Sequence, residues 1–361
     1  MITSGQRNVD GGKNPRTGSP GAANKAARRL SRTMVSAAAV LIAACLLAGF
    51  FNLITGHPAG SYTPALQPPF IVGLNMGNPR ADLTVFSAAT GRPLTTVQPP
   101  RGMYFRDTAA TSDGRTFIIA AESVTKQCDT WLYELRLTAQ GDLGALTPFA
   151  IPEVTGRILS ANDLSASGDG RLIAYSAELC TDSHRGVIGV ADAVTGQVRT
   201  SPLNSHSAWS VSLSPDGRVI GFVNTVVYGG DGSIRLVRAD ATGRQAAVRV
   251  PVILPAGDRI DVNGTIAMSP DGGTILACSE GQDTAVLAAY NAQTGTLIGV
   301  AHTWSHVLAA PCELAYAPSG QYVLVYDLDV AGTFTKIDLA TRQVITFAKT
   351  RKYPDVLSVS W

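Results

Sequence analysis

The sequence lacks a strong net charge. Its 29 Lys and Arg residues nearly balance its 27 Asp and Glu residues, so the formal net charge is only +2. The basic excess is confined to residues 1–32, which contain seven Lys or Arg and a single acid, and the rest of the chain is weakly acidic. Because nucleic-acid-binding domains are expected to be basic, this balance excludes a general nucleic-acid binder.

The motifs of several enzyme classes are also missing. The sequence contains no Gly-x-Ser-x-Gly nucleophile elbow, no Cys-x-x-Cys pair and no Gly-rich phosphate loop. These absences argue against a serine hydrolase, a zinc site built on paired cysteines and a nucleotide-binding enzyme. We therefore expect no cofactor, and the sequence favours a protein that is not an enzyme.

One long stretch has no charge at all. Residues 34–54 form an uncharged run of 21 residues, close to the roughly 20 apolar residues with which a helix crosses a bilayer. Basic residues precede this run, so the positive-inside rule places the N-terminus in the cytoplasm. We predict a disordered basic cytoplasmic arm over residues 1–33, a transmembrane signal-anchor helix over 34–54 and a Pro-rich stalk over 55–69. The predicted location is the cell membrane, crossed once, with the remaining chain outside the cytoplasm.

Two alternatives to an uncleaved anchor remain open. A cleaved signal peptide would need small residues at a cleavage site after the run, and no convincing Ala-x-Ala is present. The segment Ile42-Ala43-Ala44-Cys45 resembles a bacterial lipobox with Cys45 as the lipid-bearing residue, but the apolar run continues past it. All three alternatives place the body of the protein outside the cytoplasm.

A turn motif recurs along the rest of the chain. Its clearest copy is Pro215-Asp216-Gly217, which stands between two apolar runs. Asp-Gly at such a place predicts a tight β-hairpin, because Gly accepts positive φ and Asp bonds its own backbone. The other copies are centred on Asp113, Asp169, Asp271 and Ser319, and successive copies lie 56, 47, 55 and 48 residues apart. This spacing, with four strands per unit, is typical of a β-propeller.

A second turn recurs inside the units. It contains Thr90-Gly91, Thr195-Gly196, Thr242-Gly243 and Thr294-Gly295, whereas the last copy, Thr341-Arg342, lacks the Gly. Each unit therefore contains strand a, the Asp-Gly turn, strand b, a variable loop, strand c, the Thr-Gly turn and strand d. Both turns are expected on one face of the disc, the turn face. The b–c and d–a loops are expected on the other, the loop face, which we predict to be the binding face.

These units resemble the blades of bacterial WD40-like propellers that carry the Ser-Pro-Asp-Gly turn, as in the propeller half of TolB-type proteins. The resemblance covers about residues 69–361 and implies an all-β fold. Gly-His and Trp-Asp dipeptides are absent from the repeats, so the hydrogen-bond network of eukaryotic WD40 blades is not expected. Residues 70–98 supply strands b, c and d, and residues 355–361 resemble strand a. We therefore predict a six-bladed β-propeller over residues 70–361, closed by its C-terminal strand, with seven blades as the alternative.

The propeller contains four cysteines, Cys128, Cys180, Cys278 and Cys312. Outside the cytoplasm, an even number of cysteines favours disulfides. Placement in neighbouring blades favours the pairs Cys128–Cys180 and Cys278–Cys312, and four buried free thiols are the alternative.

A partial acidic ring is predicted near the mouth of the central channel. The residues that follow strand b in successive blades are polar or acidic, and the candidate ligand-binding residues are Glu122, Glu178, Asn224, Glu280 and Asp327. Such a ring could bind a cation, an amine or a basic peptide, although strand-end residues that face water are the simpler interpretation.

The leading hypothesis is a membrane-anchored, extracytoplasmic propeller that binds a protein or peptide ligand as a scaffolding module. A second hypothesis is a propeller hydrolase or lactonase with a metal held by some of these acids. A third is a sensor whose cytoplasmic arm relays binding.

Overall fold

The computed structural model describes residues 68–75, 81–126, 129–149, 158–179, 182–203, 208–224, 233–238, 265–280, 285–304, 313–327, 333–349 and 356–361. The predicted arm, anchor and most of the stalk lie outside these residues, so their boundaries stay predictions. Within the described ranges, no helix is both long and apolar enough to cross a membrane.

The described strands form six sheets, five with four strands and one with three. Sheet 1 begins with β1 (Phe70–Asn75), β2 (Asp82–Ser87) and β3 (Pro93–Val97). Sheet 2 contains β4 (Met103–Ala110), β5 (Thr116–Ser123), β6 (Thr130–Leu137) and β7 (Leu143–Phe149). Sheet 3 contains β8 (Ile158–Ala166), β9 (Leu172–Leu179), β10 (Asp182–Asp192) and β11 (Val198–Pro202).

The second half of the chain repeats this pattern. Sheet 4 contains β12 (Ala208–Leu213), β13 (Val219–Asn224) and β14 (Ser233–Arg238). Sheet 5 contains β15 (Ile266–Met268), β16 (Thr274–Glu280), β17 (Ala285–Asn291) and β18 (Leu297–Trp304). Sheet 6 contains β19 (Glu313–Tyr316), β20 (Tyr322–Asp327), β21 (Thr333–Asp338) and β22 (Val344–Lys349). The strand d expected in sheet 4 falls in residues 239–264, outside the described part.

The last strand, β23 (Val356–Ser360), returns to sheet 1. It pairs antiparallel with β1, with Val72 opposite Ser360 and Leu74 opposite Ser358. The innermost strands then neighbour one another in a closed order, β4, β8, β12, β15, β19, β23 and back to β4. This arrangement confirms the β-propeller fold and the sharing of one sheet by the two ends of the propeller. The space that the six innermost strands enclose is the central channel.

The Asp-Gly turns form as the sequence predicts. In the copy around Asp216, the Ser214 hydroxyl donates to the Asp216 carboxylate at 2.6 Å and accepts from the Val219 N–H at 2.9 Å. The same hydroxyl-to-carboxylate bond recurs at Asp169 and Asp271. Each turn glycine has a positive φ, for example +71° at Gly217. Because these bonds satisfy the turn locally, the a–b hairpins that contain the Asp are fixed by their own residues.

The Thr-Gly turns are also stabilised by hydrogen bonds between a side chain and the backbone. The residue that ends strand c accepts two backbone N–H groups with its side chain: Asn291 accepts from Gln293 and Thr294 at 2.9 Å each. In the last copy, Arg342 takes the place of the glycine and adopts φ +59°. A non-glycine residue in this region is strained.

The hydrophobic core lies between adjacent sheets, because side chains alternate along each strand and so face both neighbouring blades. Between sheets 2 and 3, Ile118 and Leu164 pack with Tyr175 in one buried cluster. A Cβ at Gly189 would lie 2.1 Å from the Tyr175 ring, so only glycine leaves room for this side chain.

One of the four propeller cysteines lies in the described part. Cys278 is buried in β16, at 3% exposure. The other three lie outside the described residues, and both disulfide pairings therefore stay predictions.

Candidate functional site

The wall of the central channel contains a polar position that recurs in every unit. The position lies six residues before the Asp or Ser of the Asp-Gly turn, and it is also present in β23. The six residues are Asp107, Asp163, Ser210, Thr265, Glu313 and Ser358. We call them the polar belt.

The polar belt joins neighbouring sheets by hydrogen bonds. The belt side chain of one sheet accepts a hydrogen bond from a backbone N–H of the next sheet. That N–H belongs to the residue directly after the belt residue of the next sheet. Asp107 accepts from Leu164 N–H, and Asp163 accepts from Val211 N–H at 2.5 Å. The hydroxyls of Ser210 and Thr265 continue the pattern, accepting from Ile266 and Leu314 N–H at 3.0 and 2.8 Å. These bonds satisfy backbone N–H groups that face the preceding sheet instead of pairing within their own sheet.

Three of the six belt residues are carboxyls. The side chains of Asp107 and Asp163 bond to each other, so the pair holds at least one proton between them. Burial raises the pKa of Asp107 to about 6, against the opposing effect of hydrogen bonds such as that with Ser358. Burial also raises the pKa of Asp163 well above its usual range, and the Asp107 and Glu313 carboxyls add to this effect.

Glu313 lies in the same environment. Burial, and next the Asp107 carboxyl, raise the pKa of Glu313 well above its usual range. The Asp107 carboxyl thus disfavours the ionisation of Asp163 and Glu313, and burial disfavours the ionisation of all three, so carboxyls with a raised pKa are concentrated in the channel wall.

The belt borders a cavity of about 320 Å³ in the central channel, lined by residues of all six innermost strands. Its wall combines the carboxyls of Asp163 and Glu313 and the belt hydroxyls with small apolar residues such as Ala109 and Ala267. A volume of this size can hold a small ligand or one long side chain.

Glu122, the first residue of the predicted acidic ring, is held by its own sheet. The Tyr104 hydroxyl donates to one Glu122 carboxylate oxygen, and Arg106 Nε lies 3.7 Å from the other. Burial, and next this hydrogen bond, raise the pKa of Tyr104 to about 12. Glu122 is 7% exposed, so it is a structural anion of sheet 2 in this arrangement.

The other ring residues occupy the ends of strand b, as predicted. Glu178 lies in β9, opposite Ser160 and Gly186. The backbones of Asn224, Glu280 and Asp327 end β13, β16 and β20, and their side chains lie outside the described part. Whether the ring binds a ligand therefore stays a prediction. Among the described residues, no group of three His, Cys, Asp or Glu side chains could hold a metal ion.

A second depression, of about 630 Å³, lies on the turn face between sheets 2 and 3. Its lining carries both charge signs, including Asp113, Arg115, Glu134 and Arg136. Arg136 and Glu134 pair with each other at 2.5 Å, which leaves the depression without a strong field of one sign.

The sequence analysis missed the polar belt. The signal was present, because one position of the repeat is polar in every unit, and in five of the six units the residue after it is apolar. The predicted ring lies at the ends of strand b, whereas the belt lies in the middles of the innermost strands, which border the channel.

No family model matches this chain, and no curated protein matches it in sequence. Solved structures do match it. TolB from Acinetobacter baumannii aligns with a TM-score of 0.54 at 16% identity over 81% of this chain and 65% of that chain. A functionally unknown protein from Desulfotomaculum acetoxidans aligns with a TM-score of 0.51 at 15% identity over 80% of this chain and 98% of that one.

A chain of a nidogen/laminin complex aligns with a TM-score of 0.55 at 12% identity, over 81% of this chain and 97% of that one. At such identities the likeness defines the class of protein alone, a β-propeller. This chain spans about two thirds of the TolB chain.

Proposed function

We propose that this protein is a membrane-anchored binding module with a six-bladed propeller outside the cytoplasm, and that a protein or peptide binds its loop face. The observation that carries the binding function is the cavity of about 320 Å³ in the central channel, lined by polar groups from every innermost strand. Its lining reaches turn-face residues such as Ser112 and Pro215, so the choice of the loop face rests on its longer and more varied loops. One similar structure comes from a complex of two proteins, nidogen and laminin. The uncharged run at residues 34–54 supports the anchor.

Capture from membranes tests the binding function. The full-length protein in mild detergent serves as bait, with Val124→Arg as the loop-face variant and Val194→Arg as the matched control. Val124 lies in the b–c connection after β5 and Val194 in the c–d turn after β10, and both are exposed, at 54% and 77%. We expect a partner that Val124→Arg loses and Val194→Arg keeps. Equal capture by both variants would contradict binding at the loop face.

The topology has its own test. A protease added outside intact cells should remove a C-terminal tag and leave an N-terminal tag protected, because the propeller lies outside and the arm inside. Protection of both tags would contradict the extracytoplasmic location.

We also propose the disulfides Cys128–Cys180 and Cys278–Cys312. Cys278 packs in one buried cluster with Leu314 of the neighbouring sheet, and Cys312 is two residues before Leu314. Each disulfide is expected to stabilise the fold by about 2–4 kcal/mol. Mass spectrometry after alkylation of the denatured protein without reductant should find no modified propeller cysteine, and four modified after reduction. Four modified thiols without reductant would contradict both pairs.

A further inference from the structure

The c–d turn of sheet 6 contains a strained residue that is exposed to solvent. Arg342 has a φ of +59°, whereas Gly91, Gly196 and Gly295 occupy the equivalent turn positions with φ from +66° to +70°. Glycine adopts this conformation freely, but a residue with a side chain loses stability there. Strained residues concentrate at functional sites, and no described acid pairs with the exposed Arg342 side chain. Arg342 is therefore a candidate contact for a partner.

The strand that follows Arg342, β22, is the outer edge of sheet 6. Among the described strands it pairs with β21 alone. At its start, the Gln343 carbonyl accepts a hydrogen bond from Asp338 N–H at 2.9 Å. Because the backbone groups of an antiparallel strand point alternately to its two sides, the N–H and C=O groups of Val344 and Thr346 point away from β21. These groups are available to a further strand.

Other outer strands contain proline, which hinders such pairing, and β22 does not. In sheet 1, Pro93 follows the hydrogen-bonded pair that closes its turn, as Val344 does in sheet 6. The outer strands of sheets 2 and 3 contain Pro148 and Pro202. Proline removes a donor from a free edge and so protects the edge from pairing with another chain. Of the described outer strands, β18 and β22 lack this protection.

The surface along β22 is apolar and basic. Val344 and Ile345 are both exposed, at 40% and 41%. Residues 339–354 include four cations and no acid, whereas β18 contains no Lys, Arg, Asp or Glu. The cations are Arg342, Lys349, Arg351 and Lys352, of which only Arg342 has a described side chain.

The acid that precedes this stretch does not offset its charge at the surface. Asp338 is 7% exposed, and its carboxylate accepts two N–H groups of its own turn and one from the Gln321 side chain. Lys336 lies opposite Ile345 in β21 and adds a further cation. The edge therefore favours a negatively charged partner.

We propose that β22 binds an extended acidic segment of a partner protein, which adds a fifth strand to sheet 6. The outward N–H and C=O groups of Val344 and Thr346 pair with the backbone of the segment, and Arg342 binds one of its carboxylates. A membrane surface could meet the cations, but only another extended backbone satisfies the row of donors and acceptors. This edge lies on the rim of the disc, so the inference does not depend on binding at the loop face.

Isothermal titration of the full-length protein in phosphatidylcholine nanodiscs tests the inference, with a blocked Glu-Val-Glu-Val-Glu-Val peptide as the probe. The comparison peptides are Lys-Val-Lys-Val-Lys-Val and the Glu-Val peptide with every backbone amide N-methylated. We expect saturable binding of the unmethylated Glu-Val peptide alone. Equal affinity for the methylated peptide would overturn strand addition, and equal affinity for the Lys-Val peptide would overturn the charge preference. Binding to phosphatidylglycerol vesicles without binding of the Glu-Val peptide would identify a membrane contact instead and also overturn the inference.

Val344→Pro tests the free edge itself. It removes an outward N–H and keeps the cations, so it should weaken binding of the Glu-Val peptide about tenfold or more. The fold accepts proline at the equivalent position of sheet 1, Pro93. Leu297→Pro, at the equivalent position of β18, is the matched control and should leave the affinity unaltered. Equal affinity of the wild type and Val344→Pro would contradict pairing along β22.

Arg342→Gly separates binding from folding. The variant relieves the strained φ, so its thermal midpoint of unfolding should rise, while its affinity for the Glu-Val peptide should fall several-fold because a carboxylate loses its partner. A loss of affinity in a more stable variant cannot be due to unfolding. If Arg342→Gly binds the peptide as tightly as the wild type, the strained arginine is not part of the binding surface and the inference fails.

Discussion

At the residue scale, two groups of aspartates have opposite effects on stability. Turn aspartates such as Asp169 and Asp216 have a lowered pKa, because hydroxyl and backbone hydrogen bonds favour the charged form. Belt residues such as Asp107 have a raised pKa, because burial disfavours the charged form. The turn aspartates therefore stabilise the fold above their unfolded pKa, and this contribution is lost as the pH falls through the folded values.

The belt carboxyls give the first prediction. Their folded forms hold protons more tightly than the unfolded chain, so they make the unfolding free energy fall as the pH rises from about 4 through the raised folded values. Asp107→Asn keeps an acceptor for Leu164 N–H and removes this penalty. We expect it to stabilise the protein by about 1–3 kcal/mol at pH 8 and not at pH 4. Urea denaturation at both pH values measures this, with Asp142→Asn in an exposed turn as control. A variant that is destabilised equally at both pH values would refute the assignment.

Arg342 gives a second residue-scale prediction. Its φ of +59° suits glycine, which occupies the same turn position at Gly295 with φ +70°. Arg342→Gly should therefore stabilise the protein by about 0.5–1 kcal/mol, the relief of strain less the entropy that glycine gains on unfolding. Gly295→Arg is the reciprocal control and should destabilise by about 1 kcal/mol or more. If both variants lower the thermal midpoint of unfolding equally, the positive φ is not the reason why glycine is preferred at this turn position.

At the scale of the elements, β23 has the largest expected effect on the fold. It closes sheet 1 from the other end of the propeller, and the residue that follows it, Trp361, is 2% exposed in a cluster with Ile71 and Phe86. Without this strand, β1 would be an open edge able to pair with other chains.

Trp361→Ala tests the role of this closing strand. Loss of a buried tryptophan should cost about 3–5 kcal/mol, while Leu297→Ala on the exposed edge of β18 should change stability by less than about 0.5 kcal/mol. The midpoints of denaturant unfolding compare the two variants. Similar midpoints would mean that the propeller is stable without the packing of the Trp361 side chain.

At the scale of the whole molecule, the sequence predicted the repeats better than the site. Asp216 and Gly217 determine their turn by bonds within a few residues, so that turn could be read from the chain. The closing strand was found because residues 355–361 repeat a pattern seen elsewhere. The bonded pair of Asp107 and Asp163 depends on the stacking of sheets 2 and 3, which brings β4 and β8 side by side from positions 56 residues apart in sequence. The local sequence pattern identifies such residues as polar, but it does not predict that their side chains come into contact.

The central claim is that a ligand approaches the propeller from the loop face. Site-specific photo-crosslinking in intact cells tests it most directly, with one photoreactive residue at Val124 and, in a separate variant, at Val194. Both positions are exposed apolar side chains in connections of neighbouring sheets, and they lie on opposite faces of the disc. The account predicts a discrete crosslinked partner from Val124 and none from Val194. A partner crosslinked from Val194 alone would contradict it.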